Sequence, residues 1–374
     1  MLAPRSRRIA LFCTNFLPTS QVFVYEQLRQ YRRSEVDVFA WRRFNSERFA
    51  FPRVHLAEPG YVLRGKSRRF ARIFAERRFE LVHAHFGPAG AYARRYAARH
   101  HLPLLVTFHG YDVPILSSRR RFLPLHLPYA LGCGALLREL RLGLCASEEL
   151  KRLLVGLGVA PERLLVHRLG IDLERFAFVA EPRERLVVMV GRLVEKKGFD
   201  DGLRAFAHAR ALGARASLSI VGEGERRRSL ERLARRLGIA REVSFLGSRD
   251  NEQVAQLLSR ARVLLAPSVV ARDGNRESGL IVVKEASAVG AVPIGTRHGG
   301  IPESIEDRET GFLVAEHDFQ AMGEHLARLL GDEAARARMA RAARDKMERE
   351  FDNRAIVARL EDVYDEVCEG WGAG

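Results

Sequence analysis

An α/β chain with two doubly wound parallel sheets in tandem is predicted by three observations. Short apolar runs alternate with amphipathic segments along most of the 374 residues, the rhythm breaks once near the middle and restarts, and it ends in two helical stretches without strands. Buried strands alternating with helical patterns specify βαβ units, whose strands pair in parallel. At 47% hydrophobic residues the chain can bury substantial cores, and roughly 100 to 200 residues per domain gives two domains.

The first strand is IALFC, followed by the helical pattern QVFVYEQLRQY. VDVFA, the helix-like FARIFAERRF, LVHAH, LLVTF and LGLCAS with its helix EELKRLLVGLG complete the first half. Gly170, Pro182 and a charge run in HRLGIDLERFAFVAEPRER interrupt the pattern and place a linker near residues 171–183. Strands resume at LVVMV, LSIV, VSFLG, VLLAP and VPIG, spaced by helices such as GFDDGLRAFAHARAL and ERRRSLERLARRLG. After Phe319 the strands cease, and DEAARARMARAARDKMEREF and NRAIVARLEDVYDEV read as terminal helices. The predicted domains are therefore 1–172 and 183–352, with a helix over 353–374 packing back towards the first domain.

Composition narrows the class. The four cysteines form no C-x-x-C pair, which argues against a zinc ribbon or a disulfide framework and for a reduced, cytoplasmic chain. The apolar run from Ile9 to Cys13 is too short for a signal-peptide core, and no stretch approaches the ~18 apolar residues of a spanning helix. The net charge of +16 is confined to one half: up to Asp172 there are 29 Lys plus Arg against 13 Asp plus Glu, and from Leu173 onward 33 against 33. The basic residues are not interleaved with an aromatic platform, so nucleic acid is not the expected partner.

GYVLRGKS, residues 60–67, fits the phosphate-loop pattern G-x-x-x-x-G-K-[ST]. A working loop follows a buried strand and uses small residues. Here Ala57, Glu58 and Pro59 precede Gly60, and Tyr61 to Arg64 fill the loop. The stretch instead opens a basic helix with Leu63, Phe70, Ile73 and Phe74 on one side and Lys66, Arg68, Arg69, Arg72 and Arg77 around them. Two readings stand: an ordinary surface helix on the sheet, or a contact with an anionic membrane, shared with Arg119, Arg120 and Arg121 of SSRRRFLPLHLPYALG.

Ligands of open parallel sheets bind beyond the carboxyl ends of strands, so the chemistry is sought there. In RESGLIVVKEA, Glu277 and Glu285 have seven residues between them, and a helix over Gly279 to Val289 would set Glu277 beside free N–H groups and Glu285 about two turns inside. Helix amides favour phosphate, and carboxylates accept bonds from sugar hydroxyls; the alternative is a solvated helix face. In VMVGRLVEKKG a strand ends at Gly191 and is followed by Arg192, Lys196 and Lys197, cations suited to a diphosphate, or simply a basic loop. HAHFGPAG and TFHGYD end two strands with His83, His85 and His109, near Gly110 and Asp112. Sugar contact or proton relay, or a scaffold role, are the two readings of these histidines.

VGRLVEKKG, the paired-glutamate segment, TRHGGIPE, TGFLV and HRLGIDLERF occur together, and this combination resembles the retaining glycosyltransferases of family 4 with the GT-B fold, over nearly the whole chain. HAHFG, TFHGYD and SVVARDGNRE resemble the branch that makes exopolysaccharides such as colanic acid and amylovoran. The resemblance implies two Rossmann-like domains facing across a cleft, the first taking the acceptor and the second the donor. It implies a hexose transferred from a nucleotide diphosphate, a UDP- or GDP-sugar, to a saccharide acceptor carried on polyprenyl diphosphate, at the inner face of the cell membrane. By motif, Gly191, Arg192 and Lys197 would hold the diphosphate, Glu277 the sugar, Glu285 the ribose, and the amides of Ser278, Gly279 and Leu280 the sugar and phosphates. Phe245, Leu246 and Gly247 would lie near the base and His109 beside the reacting carbon; Asn15 to Ser20, including Thr19, would form the loop after the first strand, near donor and acceptor, with His85 and Asp112 on the acceptor side.

Retention by same-face attack is implied, with cations in place of a metal; no D-x-D occurs in the sequence. One departure is Ser278 before Gly279 without the usual proline, which bears on donor choice. A soluble enzyme with a small acceptor, or a nucleotide-sugar-binding subunit without activity, are the alternative functions.

Overall fold

The computed structural model describes residues 6–18, 21–61, 65–117, 126–180, 183–277 and 279–372. The chain divides into two compact units, Met1–Gly170 with Asn353–Gly374, and Ile171–Asp352.

The first unit is built on seven strands, β1 (Arg7–Phe16), β2 (Ser34–Arg43), β3 (Val54–Leu56), β4 (Leu81–His85), β5 (Leu104–Phe108), β6 (Leu142–Cys145) and β7 (Leu164–Val166). Their order is β3-β2-β1-β4-β5-β6-β7, all parallel. Alternation along β1 decides the two cores: Ile9, Leu11 and Cys13 enter one, Ala10 and Phe12 the other. Around Phe12 the second core is aromatic, with Phe39 stacked at 5.0 Å and Phe70 edge-on at 6.0 Å. Such fully buried side chains contribute roughly 1.5 to 3 kcal/mol each.

The helix Asn353–Gly372 belongs to this unit because its polar groups are used there. Arg7 and Arg33 donate to the two oxygens of Asp365, each at 2.8 Å. Glu361 accepts from Ser34 Oγ at 2.8 Å, and Tyr364 Oη meets Tyr31 Oη at 2.8 Å and His83 Nδ1 at 2.6 Å. His83 is fully buried, with its other nitrogen on Thr107 Oγ1 at 2.7 Å, which is a scaffold role.

The second unit carries β8 (Leu186–Val190), β9 (Ser217–Val221), β10 (Val243–Gly247), β11 (Val263–Ala266), β12 (Val292–Thr296) and β13 (Phe312–Val314) in the order β10-β9-β8-β11-β12-β13, again all parallel. Val187 and Met189 face one core, Leu186 and Val188 the other. In each sheet the strand order reverses beside the first strand, between β1 and β4 and between β8 and β11. These are the topological switch points at which open α/β sheets bind ligands.

GYVLRGKS does follow a strand, the three-residue edge strand β3, but one that is only half-buried and ends at Leu56. Tyr61 is buried among Phe70, Tyr92 and Trp41, and Arg95 Nη1 donates to Gly65 O at 3.3 Å. Ser67 caps the helix Arg68–Glu76, accepting from the Phe70 N–H at 3.1 Å. Phe70 and Phe74 point into the core, whereas Lys66, Arg68, Arg69 and Arg72 are exposed. The apolar side of this helix is thus spent on the sheet, and its exposed side carries Arg68, Arg69 and Arg72 with Ala75 and Glu76. Leu63 and Arg119 to Arg121 lie outside the described residues.

Candidate active site

At the switch point of the second unit, Gly191 follows β8 and exposed Arg192 follows it. Residues Glu195–Lys197 then make one 3-10 turn, and Gly198, at φ +63°, leads into the helix Phe199–Ala211. The Val269 N–H donates to Lys196 O at 2.9 Å, which ties the segment after β11 to this turn. Backbone bonds also join the β8 and β9 ends: Gly191 N–H to Val221 O and Leu193 N–H to Glu223 O, both 2.9 Å.

Glu277 is drawn to the same place. Its Oε1 lies 2.9 Å from Lys196 Nζ and 3.3 Å from Lys197 Nζ, and the three side chains are 12, 9 and 12% exposed. Burial opposes ionisation of Glu277, but the Lys197 and Lys196 ammonium groups outweigh it and hold the carboxyl at about 2. The Lys197 ammonium is pushed down by burial, with Glu277 opposing. Two ammonium groups against one carboxylate leave net positive charge, to which Arg192 adds, and a diphosphate matches that field.

The backbone of Glu277 is held as well. Its N–H donates to His298 Nε2 at 3.0 Å, His298 Nδ1 meets Glu316 Oε1 at 2.8 Å, and Glu316 Oε2 accepts from the Val270 N–H at 2.8 Å. The helix after Glu277 spans Ile281–Val289, two residues later than expected, and no side chain caps it at Leu280. Gly279 and Leu280 therefore precede the helix, Leu280 with an extended backbone, and the orphan helix amides begin at Ile281. Ser278 lies outside the described residues. Glu285 sits one turn inside, half-buried, and burial raises its carboxyl to about 7, with Arg175 opposing.

Phe245, Leu246 and Gly247 end β10, the edge strand. The Gly222 N–H donates to Gly247 O at 2.9 Å, and Arg227 Nη2 donates to Phe245 O at 3.3 Å. In the sheet, β9 separates them from β8 and the switch point.

In the first unit the ends of β4 and β5 bring His85 and His109 together, Nδ1 to Nε2 at 2.8 Å, with rings stacked at 5.1 Å and 12°. Burial drives His85 down to about 3, and burial with the neighbouring imidazoles holds His109 well below the ordinary range. Both rings are neutral at pH 7. His85 is fully buried, so it touches His109 rather than an acceptor. Phe86, at φ +72°, lies against His109 at 4.4 Å, and Phe23 at 4.9 Å. A phenylalanine in that conformation is held there by its surroundings.

Asp112 differs from its expected place on the acceptor side. It is fully buried and accepts from the N–H groups of Gly110 at 2.9 Å, Gly87 at 3.0 Å and His109 at 3.4 Å. Its carboxylate shapes the turn that presents His109. Asn15 lies within β1, opposite Arg42, rather than in the loop beyond it. Thr19 and Ser20 lie outside the described residues. Among the described residues no three His, Cys, Asp or Glu side chains are grouped to hold a metal, and no helix is long and apolar enough to cross a membrane.

His298, Glu316 and Phe86 are the members that sequence reasoning left without a role. His298 stands in a quoted motif, TRHGGIPE, but its partners are 21 residues before and 18 after.

Residues 20–175 match Glycosyltransferase Family 4, and residues 171–346 match Glycosyl transferases group 1. The colanic acid biosynthesis glycosyltransferase WcaL of Salmonella typhimurium is 33% identical over 65% of this chain and 60% of its own length. The amylovoran biosynthesis glycosyltransferase AmsK of Erwinia amylovora is 29% identical over 76% of this chain and 69% of its own. The chain thus spans about 60% of the first of these relatives. Anabaena HepE, solved in complex with UDP, superposes with a TM-score of 0.79 at 18% identity, covering 96% of this chain and 100% of that one. Sucrose-phosphate synthase from Thermosynechococcus elongatus gives 0.76 at 20% identity, covering 97% and 100%. At such identities these two likenesses speak for the fold alone, the GT-B pair of Rossmann-like domains. The chain belongs to the glycosyltransferases that join a Family 4 domain to a group 1 domain.

Proposed function

We propose that this chain is a retaining, metal-independent glycosyltransferase that moves a hexose-type sugar from a UDP- or GDP-sugar to a saccharide on a polyprenyl-diphosphate carrier, in exopolysaccharide synthesis. The observation that carries the proposal is Glu277 set between Lys196 and Lys197 at a switch point. The names of WcaL and AmsK support the exopolysaccharide setting, and the UDP in the HepE complex supports the donor class. In the reaction the bond from the anomeric carbon to the diphosphate oxygen breaks and a bond to the acceptor oxygen forms on the same face. The acceptor proton passes to the departing diphosphate, whose charge Arg192 and Lys197 stabilise.

The test is incubation with UDP-, GDP-, ADP- and dTDP-hexoses and lipid-linked acceptors, with and without EDTA, reading diphosphate release and the product's anomeric configuration by NMR. One donor class is expected to be consumed with retention, at the same rate in EDTA. Inverted product, or activity lost in EDTA and restored by Mg²⁺, would remove the corresponding part of the proposal. Tight donor binding without turnover would make the chain a binding subunit.

Membrane contact, on this reading, is electrostatic. Lys66, Arg68, Arg69 and Arg72 each add roughly 1 kcal/mol near an anionic leaflet, while buried Phe70 and Phe74 add nothing. Sedimentation with anionic vesicles is expected at low salt and is lost at 0.5 M salt; equal indifference to anionic and neutral vesicles refutes the contact.

Glu285 predicts a pH dependence. Its carboxyl, raised to about 7, accepts ribose hydroxyls more strongly when ionised, so donor affinity should rise with pH through 7 and then level. In the unliganded protein the sign is opposite: the stability this group contributes is present below the ordinary value of about 4.3 and is lost as pH rises to about 7. Calorimetric donor titrations from pH 5.5 to 8.5 should show the rise in the wild type and a flat profile for Glu285→Gln. An equal rise in both proteins would detach Glu285 from the donor.

A further inference from the structure

We propose that His298 is the residue that positions Glu277, acting as a neutral imidazole whose tautomer Glu316 fixes. This rests on the reading of Glu277 as the donor-sugar carboxylate.

A backbone N–H can only donate, so the 3.0 Å contact from the Glu277 amide requires a lone pair on His298 Nε2. The ring proton then sits on Nδ1, where Glu316 Oε1 accepts it at 2.8 Å. Glu316 is in turn held by the Val270 N–H at 2.8 Å, and the His298 side chain is 1% exposed. The three partners arise beyond three neighbouring strands: Val270 after β11, His298 after β12, Glu316 after β13.

What they hold is an irregular segment. Between β11 and the helix at Ile281 the described backbone has neither helix nor strand. Lys196 Nζ donates to Arg276 O at 3.2 Å, and Lys196 and Lys197 draw the Glu277 carboxylate from the side-chain end. His298 secures the main-chain end, so the carboxylate is fixed at both. A group that must meet a sugar hydroxyl gains from such support, since small misplacements are costly in rate. His298 is a positioning residue: its own nitrogens are both spent on protein.

The test compares His298→Gln, whose amide oxygen can replace Nε2 as acceptor, with His298→Asn, which resembles the Nδ1 side and leaves the amide alone. Hydrogen exchange of segment 269–280 in the unliganded protein is read first. At the Glu277 amide, exchange is expected to quicken by about fivefold to tenfold in His298→Asn, the loss of one hydrogen bond, and to stay within about twofold of wild type in His298→Gln. Donor kcat/KM should follow the same order, falling at least tenfold in His298→Asn and recovering most of that in His298→Gln. Glu316→Gln, a change at a side chain 28% exposed, keeps the fold and should also quicken exchange, because its single acceptor oxygen cannot serve both Val270 and His298. Wild-type exchange in His298→Asn, or His298→Gln no better than His298→Asn, overturns the proposal. Should the wild type turn over no donor, the exchange order still reports on His298, and the two failures remain separate.

Discussion

Lys197→Ala is expected to lower kcat/KM for the sugar donor at least tenfold, while the thermal transition moves little. Lys197 is the cation that both reaches Glu277, at 3.3 Å, and stands beside Gly191 at the end of β8. Removing one preorganised group that meets developing charge typically costs 10² to 10³ in rate, and an exposed neighbour such as Arg192 can recover part of it. Lys196 remains on Glu277 at 2.9 Å, so the carboxylate is not stranded. Its pKa should nonetheless rise from about 2, since the larger of its two charge partners is gone. A double-mutant cycle with Glu277→Gln should show the two losses to be less than additive, with coupling in the range of about 0.5 to 3 kcal/mol found for residues in contact. Near-normal turnover by Lys197→Ala would refute its assignment to the diphosphate.

Gly198→Ala should be the second large effect, acting on backbone rather than charge. Gly198 has φ +63°, and a Cβ there would lie 1.7 Å from Pro267 O. The left-handed conformation alone costs an alanine about 1 to 2 kcal/mol, and the overlap requires the backbone after β8 or after β11 to move. The expected loss is at least about 2 kcal/mol, or a fall in Tm of at least roughly 4 °C for a unit of this size. Because Gly198 directly follows Lys196 and Lys197, donor binding should weaken even where the variant is fully folded. Gly213→Ala is the control: φ is +92° but nothing lies within 4 Å of the added atom, so only the conformational cost applies. A Gly198 variant no less stable than the Gly213 variant would contradict the close approach of the two loops.

Much of this architecture was legible in the sequence, and what was not has physical reasons. The ten apolar runs read as strands all correspond to strands, because each carries at least four residues of buried, β-branched or aromatic pattern. β3, β7 and β13 were not read as strands, since each has three residues and lies at a sheet edge, where one side makes no ladder and periodicity has no length to register. That Lys197 and Glu277 serve one site was implied by the motif resemblance, and their meeting at 3.3 Å has a physical reason: their segments follow β8 and β11, the strands that flank the switch point, where ligand crevices of parallel sheets lie. His298 was not given a role, because its contacts are to a backbone amide and to a carboxylate beyond another strand, and neither leaves a local spacing. Asp112 was placed with the acceptor for the opposite reason: a polar residue beside a strand-end histidine reads as accessible, and only the three amides it accepts from reveal that it is buried.

The most direct test of the donor site is a calorimetric titration of UDP, GDP, ADP and dTDP, in EDTA, into the wild type and Lys197→Ala. One diphosphate is predicted to bind the wild type without any divalent cation and to bind Lys197→Ala at least tenfold more weakly. Binding by none of the four, or equal affinity for both proteins, would contradict a diphosphate site built on Lys197 and Glu277.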